Sequence, residues 1–496
     1  MIRYNKWRNN FEKRNSMDQQ LTPLFDQLNK HKDSRPQSFH VPGHKNGRVF
    51  LEKARPAYEQ ILAFDQTEIQ GLDDLHDATG VIAEAQQLAA ELYGSKTTHF
   101  LVGGSTVGNL AMMLCVAEPG DQVMVQRNSH QSIFHGMELA GLKPVFLEPE
   151  RDEATGIALG VSMTTIKLAM SKYSGAKAVF LTNPSYEGYG QDLTLHVQAA
   201  HEANMIVCVD EAHGAHLIID HPSWPVSSLK ARADLVVQSA HKTLPAMTMT
   251  SFLHNNSERI NSDKIRLYLR MLQSSSPSYP LMASLDVARA YLASFEISDW
   301  NQLTAKIAEL KECLGGGDGW GQTPHKLGDY VQDPLKLAFV TPYRDAAIGW
   351  KNQLKARGAF PELVSPGLLL FTLPLNADAI DVDNLRSMLE QILPVKNKKR
   401  GHLSRNTAQP KELISELALS YQEMRERKTV LIPWQESEGK IAGETIVPYP
   451  PGIPLVLAGE RIREDQLETL AKLINEGSSF QTGDSWVYNG ITIFLE

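Results

Sequence analysis

Short apolar runs alternate with longer stretches of helical period through the middle of the chain. His99–Val102, Gln122–Gln126, Pro144–Leu147, Ala178–Thr182, Ile206–Asp210 and Leu235–Gln238 are each four or five residues long and mostly apolar. Runs of that length bounded by polar turns predict buried strands. Between them, Thr106–Ala117, Ser129–Ala140, Ser162–Lys172 and Asp192–Ala203 have helical length and period, and Val81–Gly94 predicts a helix leading in, stopped by Gly94. Strand–helix alternation of this kind predicts a doubly wound α/β domain with a mostly parallel sheet. Ligands in such sheets bind beyond the carboxyl ends of strands, so the residues just after each run are the first candidates for chemistry.

Beyond this domain, Asp299–Leu393 mixes helix and strand patterns around a glycine-rich break at Gly315–Gly321 and predicts a smaller α/β domain. Pro394–Pro410, with Lys396, Lys398, Lys399, Arg400 and Arg405 among polar residues, reads as an exposed linker. A third region, Lys411–Glu496, is expected to open with an amphipathic helix. The resulting division is an N-terminal extension and arm over 1–70, a large domain over 71–298, a small domain over 299–393, a linker over 394–410 and a C-terminal domain over 411–496. Residues 1–16 read as a flexible extension or as an overcalled start ahead of Met17. A chain of 496 residues is too long for one core, which agrees with several domains.

Composition excludes more than it selects. Hydrophobic residues at 42% and charged residues at 21% place the chain among ordinary globular proteins. A net charge of −8 gives no basic footprint for nucleic acid and mildly favours cationic small molecules. The three cysteines, Cys115, Cys208 and Cys313, form neither a C-x-x-C pair nor a metal-ligand spacing, as expected of a cytoplasmic protein without disulfides or zinc. No apolar run reaches the roughly 18 residues of a membrane span. In His40-Val41-Pro42-Gly43-His44 the intervening Pro-Gly prevents the helix that would align both histidines on a metal, and His201-Glu202 lacks a second histidine. No metal site is expected.

Lys242 follows the run Leu235–Gln238 in Ser239-Ala240-His241-Lys242-Thr243. A lysine just past a buried strand can be desolvated into an amine nucleophile, the requirement for a Schiff-base lysine, although a solvated loop lysine is the commoner meaning of an isolated one. Its context changes that balance. Asp210 ends the run Ile206–Asp210, where a carboxylate can pair with the protonated nitrogen of a pyridine ring; alone, it reads equally as a turn cap. In Val102-Gly103-Gly104-Ser105-Thr106, glycines lead into a helix start whose amides and hydroxyls suit one phosphate group. The spacing fits neither a nucleotide P-loop nor a dinucleotide fingerprint. His130, after the run ending at Gln126, stands where an imidazole can stack on a flat ring. Asn183–Gly188 follows another strand and either lines the same mouth or makes a plain turn.

These residues, with Phe39-His40-Val41-Pro42-Gly43-His44-Lys45, Gly71-Leu72-Asp73-Asp74-Leu75-His76 and Tyr449-Pro450-Pro451-Gly452-Ile453-Pro454, make the chain similar over almost its whole length to the Orn/Lys/Arg decarboxylases. That family is built on the aspartate-aminotransferase fold (fold type I) of pyridoxal-phosphate enzymes. The resemblance implies that Lys242 attaches the cofactor, Asp210 holds the pyridine nitrogen, and His130 stacks on the ring. It also implies that Ser105, Thr106, Ser239 and His241 hold the phosphate and that His213 lies near the ring's oxygen side. Ser275 and Ser276 are implied to reach the phosphate of a partner subunit, hence a homodimer or larger assembly. The match is to shorter bacterial members, without an N-terminal wing before His40. Two departures stand out, Gly103 where asparagine is usual and Glu187 where aspartate is usual.

The activity implied is decarboxylation of a basic amino acid, arginine ahead of lysine and ornithine, to the polyamine-pathway amine and carbon dioxide. Lys242 or a histidine such as His241 would return a proton to Cα. Asp73, Asp74 and Glu444 are candidates for the distal cation, each also readable as a cap or surface pair. An aminotransferase or aldolase on the same fold, or a regulatory protein that binds the cofactor without turnover, are the competing readings.

Overall fold

The structure, a computed structural model, describes residues 17–219, 221–314, 316–317, 320–341, 344–365, 367–392, 412–449, 452–475, 478–481 and 485–495. The extension 1–16, the linker 394–410, and Pro450 and Pro451 lie outside the described residues. Two compact units are each assembled from separate stretches of chain: Met1–Cys115, Asp192–Val197 and Ile206–Trp300 form one, and Val116–Gln191, Gln198–Met205 and Asn301–Glu496 the other.

In the first unit four strands lie in the order Thr97–Leu101, Ser251–Asn255, Leu235–Gln238, Ile206–Asp210. Leu235–Gln238 runs parallel to Ile206–Asp210, with Val237 opposite Asp210. Ser251–Asn255 is antiparallel to both its neighbours. Its mixed polar and apolar residues hid it from the hydrophobic pattern, yet all five positions are buried. His254 explains how: burial lowers its pKa to about 3, so the ring is neutral, and its nitrogens contact Gln238 Oε1 at 3.1 Å and Thr98 Oγ1 at 2.8 Å. Polar residues can fill a central strand when partners await them.

The same unit fastens its N-terminal segment through a buried ion pair. Asp286 and Arg289, on the helix Tyr279–Ala293, contact each other at 2.8 Å with both side chains inaccessible to solvent. Asp286 Oδ2 accepts from the Leu24 amide at 3.0 Å, in the first turn of the helix Pro23–Asp33, where free amides and the helix dipole favour a carboxylate. Arg289 donates to the carbonyls of Gln19 and Leu21. Each charge is therefore paired and hydrogen-bonded, the condition under which burial is tolerated.

The second unit holds the strands Ala178–Thr182, Gln122–Gln126 and Lys143–Leu147 in parallel. A fourth, Ile414–Glu416, pairs antiparallel with Lys143–Leu147. The amphipathic helix expected at the start of Lys411–Glu496 is thus a strand, followed by a helix of six residues, Tyr421–Glu426, with a Ser420–Glu423 capping box. Free backbone groups on the edge of Lys143–Leu147 outweighed the weak local preference. A separate antiparallel sheet has the order Leu363–Ser365, Leu368–Thr372, Lys336–Val340, Trp320–Gln322, Gly316–Gly317. Gly316–Gly317 and Trp320–Gln322, in the glycine-rich stretch read as a break, are therefore paired strands at the edge of this sheet.

Near the C-terminus, Ala442, Ile446, Val456, Ile462, Leu470, Phe480, Trp486, Ile491 and Ile493 close a core of their own. Arg127, just after Gln122–Gln126, anchors the chain following the Tyr449–Pro454 motif. It donates to the carbonyls of Pro454 (2.8 Å) and Leu455 (3.1 Å) and pairs with Glu460 at 3.0 Å. Its guanidinium also lies 5.5 Å from the Phe146 ring centre. No described helix is long and apolar enough to cross a membrane.

Candidate active site

Lys242 is brought to its neighbours by two adjacent parallel strands that end together. Past their ends the pairing continues irregularly: the Glu211 amide donates to Val237 O at 2.9 Å and the Ser239 amide to Ala212 O at 3.3 Å. This places 210–213 beside 238–242. Lys242 sits in the one-turn helix Ala240–Thr243 and is half-buried, with Nζ 3.1 Å from His213 Nε2. An unprotonated amine can donate to that nitrogen while keeping its lone pair for attack on a carbonyl.

Asp210 is 4% exposed. Its Oδ1 accepts from the Ala212 amide at 3.1 Å and its Oδ2 from Asn109 Nδ2 at 2.9 Å. Behind it, the wholly buried Glu211 accepts at Oε1 from Ser227 Oγ (2.8 Å) and Gln238 Nε2 (2.7 Å), and at Oε2 from the Ser228 amide (2.5 Å). Burial pushes the Glu211 pKa up, against these hydrogen bonds. The network joins the turn after Ile206–Asp210 to the strand Leu235–Gln238 and through Gln238 to His254. Asn109, Glu211, Gln238 and His254 escaped the sequence reading. The available signal was weak: an asparagine inside an apolar helix, and a glutamate next to Asp210.

The helix Gly104–Val116 begins after Gly103, with Gly104 at φ +77° and its amide donating to Met249 O. Ser105 is half-buried and Thr106 exposed in its first turn, where amides lack intrahelical acceptors. A Cβ at Gly103 would stand 2.7 Å from Val107 Cγ2, so a larger residue there would require that valine to shift. His241 is half-buried, and its Nδ1 lies 2.8 Å from the Thr250 carbonyl, leaving Nε2 as the nitrogen available to a ligand.

The remaining candidates are placed otherwise. His130, in the second unit, is exposed and caps the helix Gln131–Ala140, its Nδ1 accepting from the Ser132 amide at 3.2 Å. Ser275 and Ser276 are exposed, and the Ser276 amide donates to Ser274 Oγ. Asp73 accepts from five backbone amides, those of Asp74, Thr79, Gly80, Ile82 and Ala83, at 2.9 to 3.3 Å. Burial alone would raise its pKa, but the amides of Thr79, Gly80, Asp74 and Ala83 outweigh it and lower the value. Asp74 accepts from the His76 amide and Glu444 from the Thr492 amide. Glu187, half-buried in the second unit, accepts from Ser185 Oγ at 3.2 Å. No group of three or more potential metal ligands occurs among the described residues.

Comparison with known proteins shows the family and the fold. The chain matches the Orn/Lys/Arg decarboxylase major domain over residues 22–332 and the Orn/Lys/Arg decarboxylase C-terminal domain over residues 402–480. It is 43% identical to the uncharacterized protein YaaO of Bacillus subtilis, over 96% of this chain and 99% of that one. It is 32% identical to the arginine decarboxylase of Bacillus anthracis, over 97% of this chain and 98% of that one. The crystal structure of the Francisella novicida lysine decarboxylase LdcF superposes with a TM-score of 0.79 at 19% identity, over 96% of this chain and 81% of that one. The chain belongs to the Orn/Lys/Arg decarboxylase family, and its fold is the type I α/β fold of pyridoxal-phosphate enzymes.

Family and fold together imply pyridoxal phosphate as cofactor. The residues present fit it. Ser239 is fully buried, yet its Oγ has no hydrogen-bond partner among the described residues. A buried hydroxyl left so is costly unless a ligand completes it, and a phosphate oxygen is a suitable acceptor.

Proposed function

We propose that this protein decarboxylates a basic amino acid with pyridoxal phosphate, with arginine the first-ranked substrate and lysine the second. The observation carrying this reading is the grouping of Lys242, His213 and the amide-held Asp210 at the ends of adjoining parallel strands. Arginine is favoured by the name of the 32% identical Bacillus anthracis relative, which spans nearly the whole chain. The lysine decarboxylase that shares the fold keeps lysine second.

In this reading Lys242 binds the cofactor through Nζ, and Ser105, Thr106, Ser239 and His241 Nε2 hold its phosphate. When bound, pyridoxal phosphate would supply an electron sink for the pair released as the substrate's carboxylate departs. Asp210, aimed by the Ala212 amide and Asn109, would pair with the ring nitrogen. Lys242 Nζ, released when the substrate's amine takes its place, would return the proton to Cα, and His213 Nε2, 3.1 Å away, would hold that amine in place. We assign this step to Lys242 rather than His241, whose Nδ1 is taken by Thr250 O. The exposed Ser275 and Ser276 would reach a partner's phosphate in a cytoplasmic homodimer.

The test is incubation of purified protein and pyridoxal phosphate with arginine, lysine and ornithine in turn, measuring carbon dioxide and amine. Agmatine formed fastest supports the assignment. Cadaverine or putrescine formed fastest would reassign the substrate, a keto acid would establish a transaminase, and cofactor uptake without any product would favour a regulatory protein.

A further inference from the structure

We propose that Asn109 is a positioning residue for Asp210, and that its helix sets the spacing between the phosphate end and the ring-nitrogen end of the cofactor site. This inference rests on the reading of Asp210 as the partner of the pyridine nitrogen. Asn109 is 1% exposed, on a helix whose other buried residues include Val107, Ala111, Met112, Met113 and Cys115. An amide on so apolar a face is unfavourable unless it meets a specific partner. Its partner is Asp210 Oδ2, at 2.9 Å.

The donor's chemistry supports the role. Asp210 takes one hydrogen bond on each oxygen, from the Ala212 amide and from Asn109, and both donors are neutral. An arginine or lysine at 109 would orient the carboxylate but cancel its charge. Asparagine orients it and leaves the charge for a cationic ligand atom, which the protonated ring nitrogen is. A two-point hold also fixes rotation of the carboxylate about its Cβ–Cγ bond.

Helix geometry supplies the spacing. Ser105 and Asn109 are four residues apart on one rigid helix, about 6 Å along its axis. The first-turn residue stands at the proposed phosphate end and the second-turn residue at Asp210. Gly108 lets the helix come close enough: a Cβ there would lie 2.4 Å from Val237 Cγ2 and 2.9 Å from Leu101 Cδ1. Val237 is opposite Asp210 in the sheet, so the absent side chain lies against the strand pair that Asn109 must reach.

The experiment uses the full chain stripped of cofactor and titrated with pyridoxal phosphate, followed by the visible absorbance of the lysine-bound form. Asn109→Leu is nearly isosteric but cannot donate. It is expected to weaken cofactor affinity by about ten- to hundredfold, the effect of losing a hydrogen bond to a charged group, and to lower kcat while KM stays within about threefold. In an Asp210→Ala background the same substitution should change affinity by less than about twofold, because a residue acting through Asp210 has nothing left to act on. Asn109→Ala repeats the cycle if the leucine variant melts early as apoprotein. An unchanged affinity in the Asn109 variants, or an equal loss in both backgrounds, would overturn the proposal. A wild-type chain that takes up no cofactor would instead overturn the proposed function beneath it.

Discussion

Asp210 and Asp73 are both motif carboxylates in the first unit, and the structure treats them oppositely. Asp73 accepts from five backbone amides, which lock Gly71–Asp74 to the start of the helix Val81–Tyr93. Asp210 has two donors among the described residues and lies beside Lys242's strand end. A carboxylate saturated by its own backbone is architecture, whereas one held by two donors retains lone pairs for a ligand. In the proposed reading the count of donors, more than the motif, separates a structural acid from a chemical one.

The strongest test of the chemical side is Lys242→Ala, expected to abolish the lysine-bound visible absorbance and to lower turnover by roughly 10³-fold or more, measured as carbon dioxide release. If turnover survives, the Lys242 side of the contrast collapses. Arg127→Ala tests a buried charge that is structural in the same sense as Asp73. It strands Glu460 and frees the carbonyls of Pro454 and Leu455, and should destabilise by about 3–5 kcal/mol in denaturant unfolding. A cost below about 1 kcal/mol would mean the pair does not hold the C-terminal motif.

Asp73→Asn keeps a hydrogen-bond acceptor but loses the charge, and a cost of about 1–2 kcal/mol near neutral pH is expected from weakened amide bonds. Its pH dependence is sharper. Because the folded carboxyl has a lowered pKa, the unfolded chain binds more protons in that range. The Asp73 contribution is therefore full above the unfolded carboxyl value of about 4 and is lost as pH falls through the folded value. Unfolding curves between pH 6 and 3 should converge for wild type and variant; a gap that stays constant or widens would contradict the donor count. The smallest effect is expected from Glu444→Gln. Its carboxylate accepts from the Thr492 amide, so KM for arginine should change by less than about threefold. A tenfold rise would return Glu444 to the substrate's cation.

The fold was legible where burial was continuous. Gln122–Gln126, Ala178–Thr182, Ile206–Asp210 and Leu235–Gln238 form with the predicted bounds, because strands covered on both faces are apolar at nearly every position. Ser251–Asn255 and Ile414–Glu416 were missed for the converse reason. One is central but carries polar residues satisfied by distant partners, and the other is an edge strand whose partner lies far away in the chain. Of the candidate site, Lys242, Asp210 and His213, which the structure brings together, were legible because each follows a strand end or resembles a known motif. Asn109 and Glu211 were not, since their meaning depends on what they touch.

The amino-acid pattern by itself determined the alternation of strand and helix, the family, and the residue types able to hold a carbonyl cofactor, because periodicity and strand-end motifs are local. Only the tertiary structure decided which acid was already spent on backbone amides and which stayed available. It also brought Asn109 to Asp210 and buried the hydroxyl of Ser239 with no hydrogen-bond partner among the described residues. Hydrogen bonds between residues a hundred positions apart, such as Asn109 to Asp210, exist only once strands and helices have packed, and they set each group's orientation and charge.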